Sequence, residues 1–236
     1  MPAAVPTMSA PALEITNLRF RYPGGAADNQ SWIVDLASLR LAAAEQVLLT
    51  GGSGIGKSTL LQLIAGLMEP SEGRINVAGR HMHALRGAAR DQYRGRTIGM
   101  IFQTFNLLHG FSALENVMAA MMFSTIPRAE HRPRAEKLLK HLGITRLDAQ
   151  PSELSVGQQQ RVAVARAVAC DPVLVLADEP TASLDPENAV AAMQLIQQTC
   201  RERDAALLCV SHDPLMAERF SRRESLTSLR TSTASA

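Results

Sequence analysis

The 236 residues carry 24 lysine and arginine against 22 aspartate and glutamate side chains, a net charge of +2. Hydrophobic residues make up 46% of the chain, charged residues 19% and aromatic residues 4%, which excludes collagen-like, intrinsically disordered and disulfide-rich classes. This near-neutral charge gives no general reason to expect a nucleic-acid partner. We expect one α/β domain with an inserted subdomain.

The cysteines and the first residues bear on compartment and targeting. Cys170, Cys200 and Cys209 form no C-x-x-C pair, which favours buried thiols in a reducing compartment over metal binding. Residues 1–12 contain no lysine or arginine and lack the features of a secretory signal, so we predict a disordered tail there. No uninterrupted apolar stretch is long enough to span a bilayer.

The chain opens with predicted strands and then a glycine-rich turn. Residues 13–22 alternate apolar and polar side chains, which predicts a half-buried antiparallel strand, and residues 32–41 predict a second strand. A glycine cluster follows the apolar run 46–50, and apolar residues at helical spacing over residues 57–67 predict a helix. The order is therefore strand, glycine loop, helix.

The rest of the chain alternates between strand and helix patterns around one helical insertion. Residues 74–77 and 98–102 predict strands, whereas residues 105–142 are rich in helix-forming Met, Leu and Ala. A helix over residues 158–169 follows, and apolar runs at 173–177 and 205–210 resemble buried parallel strands. We expect a mostly parallel sheet with helices on both faces and an antiparallel β edge.

These patterns set the expected domain organisation. We place the domain at residues 13–223, with its core at 13–103 and 161–223 and a helical subdomain at 104–160. The last segment, residues 224–236, is rich in Ser and Thr and is predicted to be a flexible tail.

A phosphate loop (residues 51–59) matches the pattern G-x-x-x-x-G-K-[ST]. Its glycines let backbone N–H groups approach an anion, and the helix that begins near Lys57 directs its positive dipole end to the same point. Lys57 adds a charge for the β- and γ-phosphates, and the Ser58 hydroxyl suits Mg²⁺. We predict a site for ATP and Mg²⁺; the alternative is a glycine-rich turn that binds nothing. The loop residues are Gly51, Gly52, Ser53, Gly54, Ile55, Gly56, Lys57, Ser58 and Thr59.

Two carboxylates end the apolar run 173–177, at a sheet edge where ligands bind in open α/β folds. Asp178 is predicted to hold Mg²⁺ through water, and Glu179 to be the general base for the attacking water. A strand-end surface carboxylate is the alternative role for Glu179. His212 follows the last apolar run and could contact the γ-phosphate, although a lone histidine is usually structural.

The segment Leu154-Ser-Val-Gly-Gln-Gln-Gln-Arg161 resembles the L-S-G-G-Q signature of ATP-binding-cassette (ABC) ATPases, and the motif order resembles that family over residues 13–220. The resemblance implies a RecA-like P-loop NTPase fold. It also implies that Ser155, Gly157 and Gln158 reach across a dimer to the nucleotide held by a second copy of the chain. Without the resemblance, Ser155 would be interpreted as a helix N-cap, and both roles are compatible.

Three further residues are assigned through the same resemblance. Tyr22 resembles the aromatic residue that stacks on adenine, with core packing as the alternative. Gln103 resembles the glutamine that senses Mg²⁺ and the attacking water where the helical lobe begins. Asp185 lies in a loop that resembles the one communicating across the dimer, although Asp185-Pro186 alone predicts a helix N-cap.

Shorter strings at residues 105–108, 112–116, 158–161 and 177–181 resemble the branch with lipoprotein-releasing, macrolide-export and cell-division ATPases. This implies the ATP-hydrolysing subunit of an ABC transporter, which drives integral membrane permease subunits from the inner, cytoplasmic face of the cell membrane. We expect an export or lipoprotein-release type. The alternatives are an ATPase that signals to membrane partners in cell division, and a soluble ABC ATPase on nucleic acid, which the charge disfavours.

Three positions depart from the family pattern. Val156 replaces the first glycine of the signature, and Ala44 stands where glycine usually precedes Glu45. Activity is still expected, because Val156 removes neither neighbouring contact residue. Residues 220–226 lack the usual apolar strand and closing glycine, so we expect that edge of the sheet to fray.

Overall fold

The computed structural model describes residues 10–23, 32–52 and 54–230. The strands are β1 (Leu13–Phe20), β2 (Val34–Leu41), β3 (Gln46–Thr50), β4 (Glu72–Val77), β5 (Arg80–His81), β6 (Ile98–Ile101), β7 (Leu174–Asp178), β8 (Ala206–Val210) and β9 (Arg222–Ser225). The helices are α1 (Lys57–Ile64), α2 (Gly87–Thr97), α3 (Ala113–Met121), α4 (Arg128–His141), α5 (Val156–Val168), α6 (Pro186–Arg201) and α7 (Pro214–Ala217).

An antiparallel sheet with strand order β2-β1-β4-β5 forms one side of the molecule. The predicted alternation along β1 is interrupted at Thr16 and Asn17, which are both exposed. The pairing with β4 shifts register between Thr16 and Arg19, and Asn17 has a φ of 47°. An extra residue in one strand produces such a bulge, after which Leu18 and Phe20 point into the core again.

A parallel sheet with strand order β6-β7-β8-β3-β9 forms the centre of the fold. Helices cover both faces of this sheet, so β8 is buried along its whole length, and its sequence is a continuous apolar run. The segments after β3, β6, β7 and β8 all leave the sheet at its carboxyl edge. This edge therefore brings together the phosphate loop, Gln103, Glu179 and His212.

The last strand corrects the expectation of a frayed edge. β9 pairs in parallel with β3, and its polar sequence suits an edge strand exposed to water. Arg222 forms ion pairs with Glu45 and Glu224, each at 2.9 Å, and Leu226 is buried. Contacts thus continue beyond the predicted domain end at residue 223, as far as the Leu229 carbonyl.

Some helices have clear local signals in the sequence and others have none. α3 and α5 each begin with a capping box, whereas α2 is rich in arginine and buries only Tyr93. The apolar periodicity that predicts helices is therefore missing from α2.

At the amino end, residues 1–9 of the predicted tail lie outside the described residues, and Ala12 is fully buried. Among the described helices, none combines the length and the apolar character needed to cross a bilayer.

Candidate nucleotide site

The phosphate loop turns sharply into α1 at Gly56. Gly56 has a φ of 96°, and a Cβ atom there would lie 2.5 Å from the Ile33 carbonyl oxygen. Both the left-handed backbone and the close approach therefore require glycine. The first N–H groups of α1 have no partners within the helix and suit an anion. Ser53 lies outside the described residues.

Lys57 places its ammonium group inside the loop. The side chain is buried, and Nζ donates to the carbonyls of Gly51 at 2.8 Å and Gly52 at 2.9 Å. The same nitrogen lies 3.9 Å from Oε1 of Glu179. Its positive charge therefore lies between the loop backbone and the predicted general base.

Asp178 has the properties of a cation ligand. Its Oδ1 atom is buried and has no hydrogen-bond partner among the described residues. Burial raises the pKa of Asp178, a hydrogen bond from Ser58 lowers it, and the charges of Glu179 and Lys57 act in opposite directions. A carboxylate beside a hydroxyl is the oxygen donor set that Mg²⁺ prefers, so these residues fit the predicted ion.

Glu179 and His212 meet across the ends of β7 and β8. Oε1 of Glu179 accepts a hydrogen bond from His212 Nδ1 at 2.7 Å, and Oε2 accepts one from the His212 backbone N–H at 3.3 Å. The Glu179 side chain is 12% exposed and that of His212 66%. Glu179 has a φ of 44°, which costs roughly 1–2 kcal/mol for an L-residue. Strain of this kind is concentrated at functional sites.

Tyr22 and Gln103 lie at the rim of the same cavity. The Tyr22 ring contacts Phe20 edge-on with centroids 5.0 Å apart, and its hydroxyl lies 3.4 Å from the Thr59 hydroxyl. Tyr22 is 51% exposed, so a ring face remains available for stacking. Gln103 is exposed, and its backbone carbonyl accepts a hydrogen bond from the Ser183 hydroxyl at 3.5 Å.

These residues enclose a cavity of about 660 Å³. It is lined by parts of the phosphate loop together with Tyr22, Ile33, Gln103, Glu179 and His212. Ile33 was not predicted from the sequence, because nothing in the local pattern around it signals a contact with a loop more than twenty residues away. Asp178 is outside this lining; it ends β7 directly before Glu179 and is hydrogen-bonded to Ser58, which lines the cavity.

The signature residues lie around a different cavity of about 590 Å³. Ser155 Oγ accepts from Gln158 N at 3.3 Å, and Gln158 Oε1 accepts from Ser155 N at 3.0 Å, so Ser155 does cap α5. Gly157 and Asp185 share this cavity, and Asp185 caps α6 by accepting from the Asn188 backbone N–H at 3.1 Å. One chain therefore does not bring the signature to its own phosphate loop.

The two cavities divide the chemical roles. The first combines phosphate-binding backbone, an ammonium group and a carboxylate that is held by a histidine. The second is lined by the start of α5, the Arg161 guanidinium and the Asp185 carboxylate. Of the two, the first combines the glycine loop and a buried ammonium group with a carboxylate that accepts hydrogen bonds from a histidine.

Residues 34–182 match the protein-family model described as ABC transporter. The chain belongs to the ABC transporter family. This ABC ATPase is 42% identical over 92% of its length to the lipoprotein-releasing system ATP-binding protein LolD 2 of Rhodopseudomonas palustris, of which 93% is covered. It is also 42% identical, with the same coverage, to LolD of the same species, strain BisB5.

Solved structures with this fold are also ABC proteins. A dimeric post-hydrolysis state of the ATP-binding cassette MJ0796 bound to ADP and Pi has a TM-score of 0.76 and 32% identity, and covers 92% of this chain and 94% of that one. The cbiO1 protein of Clostridium perfringens, part of the transporter complex cbiONQ, has a TM-score of 0.74 and 29% identity, with 86% and 79% coverage. The expected fold class is confirmed, and this chain is an ATP-binding ABC ATPase.

Proposed function

We propose that this ABC ATPase is the nucleotide-binding subunit of a transporter that releases lipoproteins. The observation that carries the proposal is the 42% identity to LolD proteins over 92% of the chain, because such extensive similarity includes the surfaces outside the nucleotide site. In this proposal the chain acts at the inner face of the cell membrane, attached through permease subunits.

The two separate cavities support a dimeric active form. Ser155 and Gly157 start a helix whose first N–H groups can bind an anion, but they do not line the cavity that contains Lys57. In a twofold dimer, the signature of one copy would cover the triphosphate held by the other. The dimeric MJ0796 structure bound to ADP and Pi supports this arrangement.

Each residue of the first cavity has a distinct part in hydrolysis. The loop backbone and Lys57 hold the β- and γ-phosphates, while Asp178 and Ser58 would hold Mg²⁺. When bound, this ion neutralises charge on the phosphate oxygens. Glu179 orients the attacking water and accepts its proton, and His212 fixes the Glu179 carboxylate through two hydrogen bonds.

Gln103 and Tyr22 complete the proposed site. The Gln103 amide lies at the cavity rim, where it can contact the ion and the attacking water. The exposed face of Tyr22 stacks on adenine, which places the base at the end of the cavity near Thr59.

A permease contact is proposed where the helical subdomain begins. Within residues 105–108, Phe105 and Leu107 are buried, so they cannot contact a partner directly. Leu108 and Phe111 are large hydrophobic residues that are 42% and 45% exposed. We assign the contact to these two side chains. Asn116 holds the loop between them through two hydrogen bonds to the Leu108 backbone and one to the Phe111 carbonyl.

The dimer is tested by trapping it. In the Glu179→Gln background, ATP should shift the chain from monomer to dimer in size-exclusion chromatography with light scattering. Adding Ser155→Ala should abolish this shift. Ser112→Ala is the matched control, because Ser112 caps α3 with the same capping box and faces no nucleotide. A shift that is retained with Ser155→Ala would contradict the shared site.

The transport role is tested with membranes from the organism that produces this chain. Membrane proteins retained by the ATP-trapped Glu179→Gln chain should include permease subunits with large extracytoplasmic domains. Reconstituted with them in proteoliposomes, the parent chain should release an acylated lipoprotein in an ATP-dependent manner. ATP hydrolysis without lipoprotein release would reject the proposed cargo and leave the ATPase assignment intact.

A further inference from the structure

Arg166, near the carboxyl end of α5, reaches the segment that follows Gln103. Its two terminal guanidinium nitrogens donate to the carbonyls of Phe105 and Asn106, each at 2.6 Å. The helix that begins at the signature therefore also holds the segment just beyond the predicted water-sensing glutamine. A planar guanidinium suits two adjacent carbonyls because its donors have a fixed geometry.

The segment that Arg166 contacts is strained. Phe105 has a φ of 58° and Asn106 a φ of 47°, and a bulky side chain such as that of Phe105 rarely adopts this region. Backbone hydrogen bonds from Phe105 N to Phe102 O at 3.0 Å and from Asn106 N to Thr104 O at 2.7 Å make the turn tight. Such a conformation persists only where surrounding contacts stabilise it.

The environment of Arg166 shows that these carbonyls are its principal partners. No carboxylate in the described part of the chain forms an ion pair with it. Burial lowers the pKa of Arg166, and the residue is half-buried. A half-buried cation that is bound to two carbonyls loses these hydrogen bonds if the turn moves, so the turn and the helix should move together.

We propose that Arg166 is a positioning residue for hydrolysis, which holds Gln103 at the cavity rim by clamping the two carbonyls that follow it. The inference rests on the role proposed for Gln103 above. It also ties the signature helix to this glutamine, because Ser155 and Arg166 lie on the same helix α5. A displacement of α5 when a second copy docks on the signature is thereby transmitted to Gln103.

The test uses the purified full chain and steady-state hydrolysis of MgATP. Arg166→Lys keeps the charge but cannot donate to both carbonyls with the same geometry, and Arg166→Gln is the second variant. Because a small displacement of a catalytic group is costly, kcat should fall about tenfold in Arg166→Lys while KM for ATP stays unchanged. Hydrogen exchange of residues 103–107 should increase, and the thermal unfolding midpoint shows whether each variant is folded.

A double-mutant cycle separates positioning from general support of the fold. In the Gln103→Ala background, Arg166→Lys should lower kcat by less than about twofold, because the glutamine it positions is gone. Arg134→Lys is the matched control, since Arg134 donates to the Ala169 carbonyl at 2.6 Å, at the end of the same helix, and does not contact the turn. Its effect should be the same with and without Gln103, and it should leave exchange at residues 103–107 unchanged.

Three results would overturn the inference. A folded Arg166→Lys variant with the parental kcat would show that the clamp does not matter for hydrolysis. An equal loss of kcat with and without Gln103 would show that Arg166 acts elsewhere. A Gln103→Ala variant with the parental kcat would overturn the role proposed for Gln103 as well, which distinguishes that failure from the first two.

Discussion

His212 donates a hydrogen bond from Nδ1 to Oε1 of Glu179 at 2.7 Å, across the carboxyl ends of two neighbouring parallel strands. An ionised carboxylate can only accept hydrogen bonds, so this contact assigns the Nδ1 proton to His212. The backbone N–H of His212 binds the other carboxylate oxygen at 3.3 Å. Both oxygens of the proposed base are therefore oriented by one residue before any substrate binds.

Replacing the base should separate binding from hydrolysis. Glu179→Gln retains the shape of the side chain but cannot accept a proton from water, so we expect kcat to fall about 10²–10⁴-fold. ATP affinity should be retained, since the phosphate loop is unchanged. Phosphate release and equilibrium nucleotide binding measure the two effects, with Glu218→Gln at an exposed position as the control. Parental hydrolysis by Glu179→Gln would remove Glu179 from the mechanism.

Removing the histidine should misorient the base without removing it. His212→Ala deletes the 2.7 Å contact, and we expect kcat to fall about 10²-fold with little change in KM for ATP. His141→Ala is the control, because His141 is an exposed histidine on α4 that pairs with Glu202 instead. If both alanine variants hydrolyse ATP equally well, the Glu179 contact has no catalytic role.

Asp178 should lower the stability of the nucleotide-free chain. Burial raises the pKa of Asp178 above its unfolded value, so the folded state binds the proton more tightly than the unfolded chain does. The contribution of this group to the free energy of unfolding therefore decreases as pH rises from the unfolded pKa through the raised folded pKa. Asp178→Asn removes the buried charge and should raise the thermal unfolding midpoint at pH 7. The increase in the midpoint should be smaller at acidic pH, where the Asp178 carboxyl of the parent is itself protonated.

The same variant should lose the stabilisation that MgATP provides, because Asp178 is the proposed ligand for the ion. Thermal unfolding with and without MgATP measures both effects, and Asp148→Asn at an exposed site is the control. If Asp178→Asn unfolds at a lower temperature than the parent when neither chain has nucleotide, burial of the Asp178 charge does not destabilise the folded state.

The sequence predicts a nucleotide site from contiguous segments, and the structure brings these segments to one cavity. Residues 51–59 carry their spacing in one stretch, and Asp178 and His212 directly follow apolar runs that become parallel strands. The parallel sheet then brings the strand ends together without further information. The residues that sequence reasoning proposed for catalysis all lie at this one edge.

Contacts between distant segments could not be predicted in this way. Ile33 approaches Gly56 only because β2 begins near the phosphate loop, and Arg166 on α5 contacts the Phe105 carbonyl, which is 61 residues away in sequence. The same limit explains β9, whose polar residues form a strand because β3 offers an open edge and Arg222 pairs with Glu45. Neither partner is apparent from the local sequence.

Two glycines of the phosphate loop allow the packing at Gly56 to be measured. Gly54 has a φ of 77° and Gly56 a φ of 96°, so alanine at either position pays the cost of a left-handed backbone, roughly 1–2 kcal/mol. A Cβ atom at Gly54 would meet nothing within 4 Å, whereas one at Gly56 would lie 2.5 Å from the Ile33 carbonyl oxygen. Gly56→Ala should therefore lower the free energy of unfolding by more than Gly54→Ala does.

Urea denaturation of the nucleotide-free chain measures this difference directly, because both variants share the backbone cost and only one has the clash. We expect an excess of about 1–3 kcal/mol for Gly56→Ala, the usual range for forcing an extra carbon atom into a packed region. The Cβ atom would lie 2.5 Å from the Ile33 carbonyl oxygen and 3.1 Å from its side-chain Cγ2 atom, so shortening the side chain relieves only the weaker of these two contacts. Ile33→Ala combined with Gly56→Ala should therefore remain nearly as unstable as the two changes added together. Equal stability of the Gly54→Ala and Gly56→Ala chains would mean that the close approach of the Ile33 carbonyl does not constrain residue 56. The requirement for glycine at this position would then come from its left-handed backbone alone.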